Sequence, residues 1–466
     1  VAKANQWTPI GPWEGEVNKG LSELTISVIT MDPIKSTTLY VGVEGTGAGD
    51  YDYLFRTTDG GRSWHELQNP LQSPFAGTGT ITSIIVDPHN SKILYISDDE
   101  KISKSTDAGT TWTGITPHFV LNPPDEGWTP VNIASLAMAL NAPEILYALP
   151  RYYGGVYKST DGGSHWIAIN TELQVDSGDE IFVDPTTSTT VYVTASSNLL
   201  KSTDGGQTWQ KRSTGLPKDT SDSLFASFAI RALAIEPQNS DILYLGTDDG
   251  WGNDGNVFKS TNGGETWVES NTGLENVGGI MTLLIDPSNP STIYAASSRT
   301  AVFKSTDSAK NWKMLDPDNS VSAYFSYKGN NLVIEPNHPT RLYAGTGNGV
   351  FIYGELPDSF GTTAQCATFN GAVTPQLEIP CLQADSQLYK AGLNLLDPVI
   401  FKFELEPLSL AQIDVLPSEE CSTFAGLENK LHLPCVKVGE DILWVDLLLI
   451  NSAPFQFKLE KFGIIE

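Results

Sequence analysis

One eight-residue pattern, Ser/Thr-x-Asp-x-Gly-x-Thr-Trp, recurs along most of the chain. A unit that repeats this often restricts the fold more than any local propensity does. Six copies are present: Thr57–Trp64, Ser105–Trp112, Ser159–Trp166, Ser202–Trp209, Ser260–Trp267 with Asn262 in the Asp place, and Ser305–Trp312, where Ala309 replaces Gly and Asn311 replaces Thr. The chemistry is that of a turn. A carboxylate accepts hydrogen bonds from nearby backbone N–H groups, Gly tolerates positive φ, and the closing Trp supplies a large ring to bury. Asp59, Asp107, Asp161, Asp204, Asn262 and Asp307 are therefore read as structural residues rather than catalysts.

A second rhythm runs upstream of each copy. An apolar strand ends in an acid–Pro pair, at Asp32-Pro33, Asp87-Pro88, Asp184-Pro185, Glu236-Pro237, Asp286-Pro287 and Glu335-Pro336, with Asn141-Ala142-Pro143 standing in once. A Tyr follows each time: Tyr40, Tyr95, Tyr147, Tyr192, Tyr244, Tyr294 and Tyr343. That makes seven units against six turns, and each full unit reads as four short strands, A to D. In the second unit these are Ile81–Val86, Ile93–Ser97, Lys101–Lys104 and Trp112–Ile115. The seventh has Leu332–Ile334, Leu342–Ala344 and Gly349–Tyr353 but no fourth strand, while Gln6-Trp7-Thr8-Pro9-Ile10 is a strand with no unit of its own. The pattern predicts an all-β, seven-bladed β-propeller over residues 1–355 whose N-terminal strand completes the last blade. Ring closure removes the exposed edges that open sheets carry.

The repeated turn resembles the Asp-box (BNR) repeat of sialidase-like propellers. That family implies a three-arginine carboxylate clamp, a Tyr–Glu nucleophile pair, an Asp acid/base and an Arg-Ile-Pro motif. This chain lacks Arg-Ile-Pro, and its seven arginines (Arg56, Arg62, Arg151, Arg212, Arg231, Arg299 and Arg341) match no such motif, so sialidase activity is not expected. The opening Trp7-Thr8-Pro9-Ile10-Gly11-Pro12-Trp13, with the acid–Pro and Tyr rhythm, looks more like xyloglucanase-type propellers. The resemblance implies two propellers with a carboxylate pair in the cleft between them, which a single propeller does not form.

From residue 356 the pattern changes to a second duplication, an all-β domain of two repeats at about 360–410 and 415–466. Cys366-Ala367-Thr368-Phe369 with Leu377-Glu378-Ile379-Pro380-Cys381 returns as Cys421-Ser422-Thr423-Phe424 with Leu431-His432-Leu433-Pro434-Cys435. Four cysteines allow three pairings. The duplication favours the local one, Cys366–Cys381 and Cys421–Cys435; the rival, a four-cysteine metal site, lacks CxxC spacing and interleaved His. Disulfides point to an oxidising compartment. With Val1 in place of an initiator Met, an acidic surface and no Asn-x-Ser/Thr sequon, the chain is expected to be periplasmic, secreted or cell-surface and bacterial.

Lys and Arg number 28 against 55 Asp and Glu, a net charge of −27, which repels nucleic acid. The longest apolar run, Ile442–Ile450, is broken by Asp446 and is far too short to span a bilayer. Function is sought on the face carrying the D–A and B–C loops, opposite the acidic turns. The candidate binding face comprises Tyr51, Asp52 and Tyr53 from blade 1, Asp125, Glu126 and Trp128 between blades 2 and 3, Tyr152 and Tyr153 from blade 3, and Asp249, Trp251 and Asp254 from blade 5. Asp248, Asp249, Asn253 and Asp254 offer hard oxygen ligands for Ca²⁺, without EF-hand order; no other cofactor is indicated. No complete catalytic set is evident. The leading expectation is a non-enzymatic extracellular binding or scaffold protein meeting a protein or glycan partner. The alternative is a glycoside hydrolase or lectin using the aromatic-acidic loops, with paired carboxylates drawn from Asp52, Asp125, Glu126, Asp249 and Asp254. Self-assembly through the C-terminal repeats is a third expectation.

Overall fold

The computed structural model describes residues 7–11, 25–44, 53–67, 80–98, 101–116, 133–150, 155–170, 180–195, 197–217, 228–249, 255–298, 302–315, 331–336 and 339–354, together with the strand backbones between 367 and 464. The chain divides into two compact units, Val1–Leu356 and Pro357–Glu466. Among the described residues no helix is long and apolar enough to cross a membrane.

The first unit is a seven-bladed propeller of four-stranded antiparallel sheets. In blade 2 the strands are Ser83–Asp87, Asn90–Ser97, Ile102–Ser105 and Thr113–Gly114, within a few residues of the sequence reading. The A strands of blades 1 to 4 touch in order, as do those of blades 5 to 7, and that of blade 7 meets that of blade 1; blade 4 meets the A strand of blade 5 through its B and C strands. The last sheet joins Leu332–Ile334, Leu342–Thr346 and Gly349–Tyr353 to the N-terminal Trp7–Gly11, with Trp7 opposite Tyr353 and Thr8 opposite Ile352. The ring is closed by its two chain ends.

The core lies between blades rather than within them. Each apolar cluster draws from two neighbours; that of Ile10, Ile26, Val41, Phe55, Val333, Tyr343 and Ile352 joins blade 7 to blade 1. All seven repeat tyrosines are buried. From blade 2 to blade 6, a strand-C lysine stands over the ring of the same blade's Tyr: Lys104, Lys158, Lys201, Lys259 and Lys304 lie 5.2–5.3 Å from the centroids of Tyr95, Tyr147, Tyr192, Tyr244 and Tyr294. Such cation–π contacts strengthen as the cation is desolvated. Burial pulls the ammonium pKa down for Lys158, Lys201 and Lys259. Lys104 and Lys201 also donate to the carbonyls of Gly162 and Gly263, in the turn of the next blade, at 3.0 Å. Blade 1 places Arg56 there instead, donating to Ala108 O at 3.0 Å.

The acidic turns latch blades together. In blade 2 the Ser105 hydroxyl donates to Asp107 Oδ1 at 2.8 Å and accepts from the Gly109 N–H, while Asp107 accepts from the Thr111 backbone and hydroxyl. Four of the Trp indoles then reach back to strand D of the preceding blade: Trp64 donates to Ile10 O, Trp166 to Ile115 O, Trp267 to Arg212 O and Trp312 to Ser270 O, at 2.8–2.9 Å. Gly163, at φ 89°, shows why the second Gly is needed: a Cβ there would stand 2.3 Å from Ile115 Cδ1.

Hydrogen bonds from Thr111, His165, Thr208 and Asn311, in each case the leading cause, hold the carboxyls of Asp107, Asp161, Asp204 and Asp307 down at about 2. A carboxyl whose folded pKa lies below its unfolded value, ~3.9, stabilises the fold above that value and loses the effect as pH falls through the folded one. Blade 5 builds the same turn without a charge: Asn262 Oδ1 accepts from the Thr266 N–H at 3.0 Å. Replacing the four aspartates by Asn is thus expected to flatten the melting temperature against pH between about 4 and 2. Parallel curves for parent and variant would refute this.

In the second unit, described by its backbone, two matching strand sets form one sheet. The first is Ala367–Asn370, Gln376–Ala384, Gln387–Asp397 and Lys402–Leu405; the second is Ser422–Ala425, Lys430–Val438, Asp441–Ser452 and Phe455–Ile464. Each set is antiparallel internally, and Lys402–Leu405 pairs with Phe455–Ile464. The short first strand of each set also runs parallel to the second strand of the other. The sheet therefore closes on itself with the repeats interlocked.

Candidate functional site

Strand direction fixes which loops share a face. Strands A and C run toward the acid–Pro and acidic turns, and B and D run away from them, so the start of A and the end of B share the opposite face. Counting from each repeat Tyr, three blades place a carboxylate where strand B ends: Glu44 in blade 1, Asp98 in blade 2 and Asp248 in blade 5. Blade 4 adds Glu180 just before its first strand, Ile181–Val183. Blades 1 and 2 are adjacent, and blade 5 lies three places from blade 2, which puts it across the ring. The arrangement brings acids to one face from both sides.

The best-defined member is the blade 5 pair. Arg231 Nε donates to Asp248 Oδ2 at 2.7 Å, and the Asp248 side chain is 1% exposed. The local sequence explains the contact. Ala229 pairs with Asp248 and Ile230 with Thr247, then the register slips before Ala232, leaving Arg231 on a bulge. A bulge re-aims one side chain relative to its strand. Blades 1, 3 and 6 carry the same slip, with Ser27, Ala134 and Met281 in the equivalent place, so the guanidinium is particular to blade 5. In blade 2, Asp98 Oδ1 accepts from the Lys101 N–H at 2.6 Å and shapes the B–C connection. Glu44 is half-buried, its N–H bonded to Thr25 O at 2.8 Å.

Of the binding residues expected from sequence, Tyr53 and Asp249 fall within the described part of the chain. Tyr53 is 5% exposed and packs in the blade 1–blade 7 core, 6.3 Å from the Phe55 ring, so it is a packing residue rather than a sugar platform. Asp249 follows Asp248 on the loop face and is half-buried. Tyr51, Asp52, Asp125, Glu126, Trp128, Tyr152, Tyr153, Trp251 and Asp254 lie outside the described residues, as does Asn253 of the calcium candidate set. Asp248 of that set is already paired with a guanidinium, whose charge opposes a cation. Among the described residues no group of three or more His, Cys, Asp or Glu is placed to hold a metal ion. Sequence reading missed Asp98, Glu180 and the Arg231–Asp248 pair. The offset from the repeat Tyr was the available signal for Asp98 and Asp248.

No family model matches the chain. It is similar to a xyloglucanase of Paenibacillus sp, 24% identical over 291 residues, covering 56% of this chain and 28% of that protein. It is likewise similar to xyloglucanase Xgh74A of Acetivibrio thermocellus, 25% identical over 271 residues, covering 52% of this chain and 32% of that protein. The chain thus spans about a third or less of the length of the curated relatives it matches. Among solved structures it shares its fold with the GH74 enzyme of Niastella koreensis, at a TM-score of 0.55 and 16% identity over 94% of this chain and 78% of that one. It also shares it with YCF48 bound to D1 peptide, at 0.52 and 17% identity over 76% of this chain and 99% of that one.

These relatives overturn the expectation of a non-enzymatic scaffold. That expectation rested on the lack of a complete catalytic set within one propeller.

Proposed function

We propose that this chain is a glycoside hydrolase-type propeller that acts on a xyloglucan-like β-glucan outside the cytoplasm, through the face carrying its D–A and B–C loops. The observation behind this reading is the alignment with xyloglucanases over more than half of the chain. The local chemistry agrees with it. Hydrolysis of a glycosidic bond needs two carboxyl groups, one protonating the leaving oxygen and one attacking or activating water. The loop face gathers Glu44, Asp98, Glu180, Asp248 and Asp249, whereas the carboxylates of the opposite face are spent on turns.

The full chain, incubated with tamarind xyloglucan, mixed-linkage β-glucan and cellulose oligomers, is expected to release reducing ends from xyloglucan and to be retarded in xyloglucan-containing native gels. Glu44→Gln and Asp249→Asn are expected to lower that release by ~100-fold or more where the residue serves as acid, base or nucleophile. Their melting temperatures should stay close to the parent's. Neither cleavage nor retardation on any glucan overturns the reading.

A further inference from the structure

We propose that Asn262-Gly263, in the uncharged turn of blade 5, is a site of spontaneous deamidation that the folded turn holds shut. The dipeptide supplies the chemistry. Gly263 has no Cβ to shield its backbone nitrogen, so that nitrogen can approach the carboxamide of the residue before it. Hydroxide removes the Gly263 N–H proton, and the nitrogen bonds to Asn262 Cγ. The carboxamide C–N bond breaks, and its nitrogen takes up a proton and leaves as ammonia. One water then opens the cyclic imide at either carbonyl, giving Asp or isoaspartate. One water is consumed and one ammonia released, with no change of oxidation state.

The turn opposes each step of the attack. Asn262 Oδ1 accepts from the Ser260 hydroxyl at 2.9 Å and from the Thr266 N–H at 3.0 Å, and Nδ2 donates to Thr266 Oγ1 at 2.9 Å. The Gly263 N–H is donated to Asp241 O at 2.9 Å. Both reacting groups are thus engaged with other partners, and ring closure requires those bonds to open first. Asn348-Gly349, in the B–C connection of blade 7, is the same dipeptide without the clamp. Asn348 is exposed, and its carboxamide makes no hydrogen bond among the described residues; the bond beside it runs from its backbone N–H to Thr346 Oγ1. The two products have opposite consequences in blade 5. Asp restores the carboxylate that Asp107 and Asp204 supply to their turns. Isoaspartate adds a carbon to the main chain between Ser260, which holds the Gly264 N–H at 2.9 Å, and Trp267, whose indole latches blade 5 to Arg212 O. An opening of this turn therefore leaves a permanent mark, either a charged turn or a broken latch.

The test is peptide mapping of the full chain held in mildly alkaline buffer, folded or in guanidinium chloride, then cut with trypsin and a glutamyl endopeptidase. Cuts after Lys259 and Glu265 isolate 260–265, and cuts after Arg341 and Glu355 isolate 342–355. In denaturant the two peptides are expected to gain Asp and isoaspartate at similar rates. In the folded chain, conversion of 260–265 is expected to slow by ~10-fold or more, in proportion to the fraction of time the turn is open. Thr266→Val, which removes the acceptor of Asn262 Nδ2, is expected to speed conversion of 260–265 in the folded chain and to leave 342–355 unchanged. Equal rates for 260–265 in folded and denatured chains overturn the proposal, as does no conversion of 260–265 in denaturant. A folded Thr266→Val chain that converts 260–265 no faster than the parent overturns it too.

Discussion

Deleting residues 1–11 is expected to lower the melting temperature of the propeller by roughly 10 °C or more, or to leave it unable to fold. The segment has no sheet of its own. Trp7–Gly11 is the outer strand of blade 7, and Trp7 and Ile10 are each 5% exposed. Trp7 packs 5.3 Å from the Tyr353 ring and against blade 6, while Ile10 belongs to the cluster joining blade 7 to blade 1. Truncating one such side chain costs ~3–5 kcal/mol, so the two approach the whole stability of a typical domain, ~5–15 kcal/mol. The loss does not stop at packing. Trp64 of blade 1 gives its indole hydrogen bond to Ile10 O, and Gly61 is shaped to admit the Ile10 side chain. Without the strand, blade 1 loses its latch and Gly349–Tyr353 becomes an open edge prone to pairing with other chains. Trp7→Ala alone is expected to reproduce about half of the effect by calorimetry. A deleted chain melting with the parent would show that closure contributes nothing.

This closure was legible in the sequence because counting gives it: seven Tyr, six acidic turns, three strands at one end and one spare strand at the other. The turns were legible too, since their chemistry is local; Ser105, Asp107, Gly109 and Thr111 satisfy one another within seven residues. What stayed hidden depends on partners distant in sequence. The lysines over the repeat tyrosines sit on strand C, about ten residues from rings on strand B, and are ordinary lysines until the hairpin forms. Tyr53 read as an exposed loop aromatic because it follows Tyr51 and Asp52, yet it begins strand C and turns into the core. The interlocked C-terminal repeats escaped for a related reason. Duplication announces two copies, but nothing in either copy says that its first strand lies along the other.

The enzyme reading and the fold meet at Arg231 and Asp248, and here the second large effect is expected. Arg231→Met takes away the cation beside a carboxylate that is 1% exposed. Removing one member of a buried ion pair costs ~3–5 kcal/mol, because the remaining charge stays desolvated and has lost the opposite charge. Asp248→Asn should cost less, since the Arg231 side chain is 20% exposed and its guanidinium keeps a route to solvent. The double variant Arg231→Met/Asp248→Leu is expected to recover most of the loss, within ~1 kcal/mol of the parent in urea denaturation, because an apolar pair of similar volume replaces a desolvated one. If the double variant is as unstable as Arg231→Met, the pair is not what holds this end of blade 5. The recovered double variant then gives a clean functional readout. Blade 5 alone carries the guanidinium at its bulge, so a fold regained without it separates two roles: the pair as structural filler, where xyloglucan release is kept, and the pair as the fixed post from which the Asp249 loop meets the glycan, where release falls while the melting temperature does not.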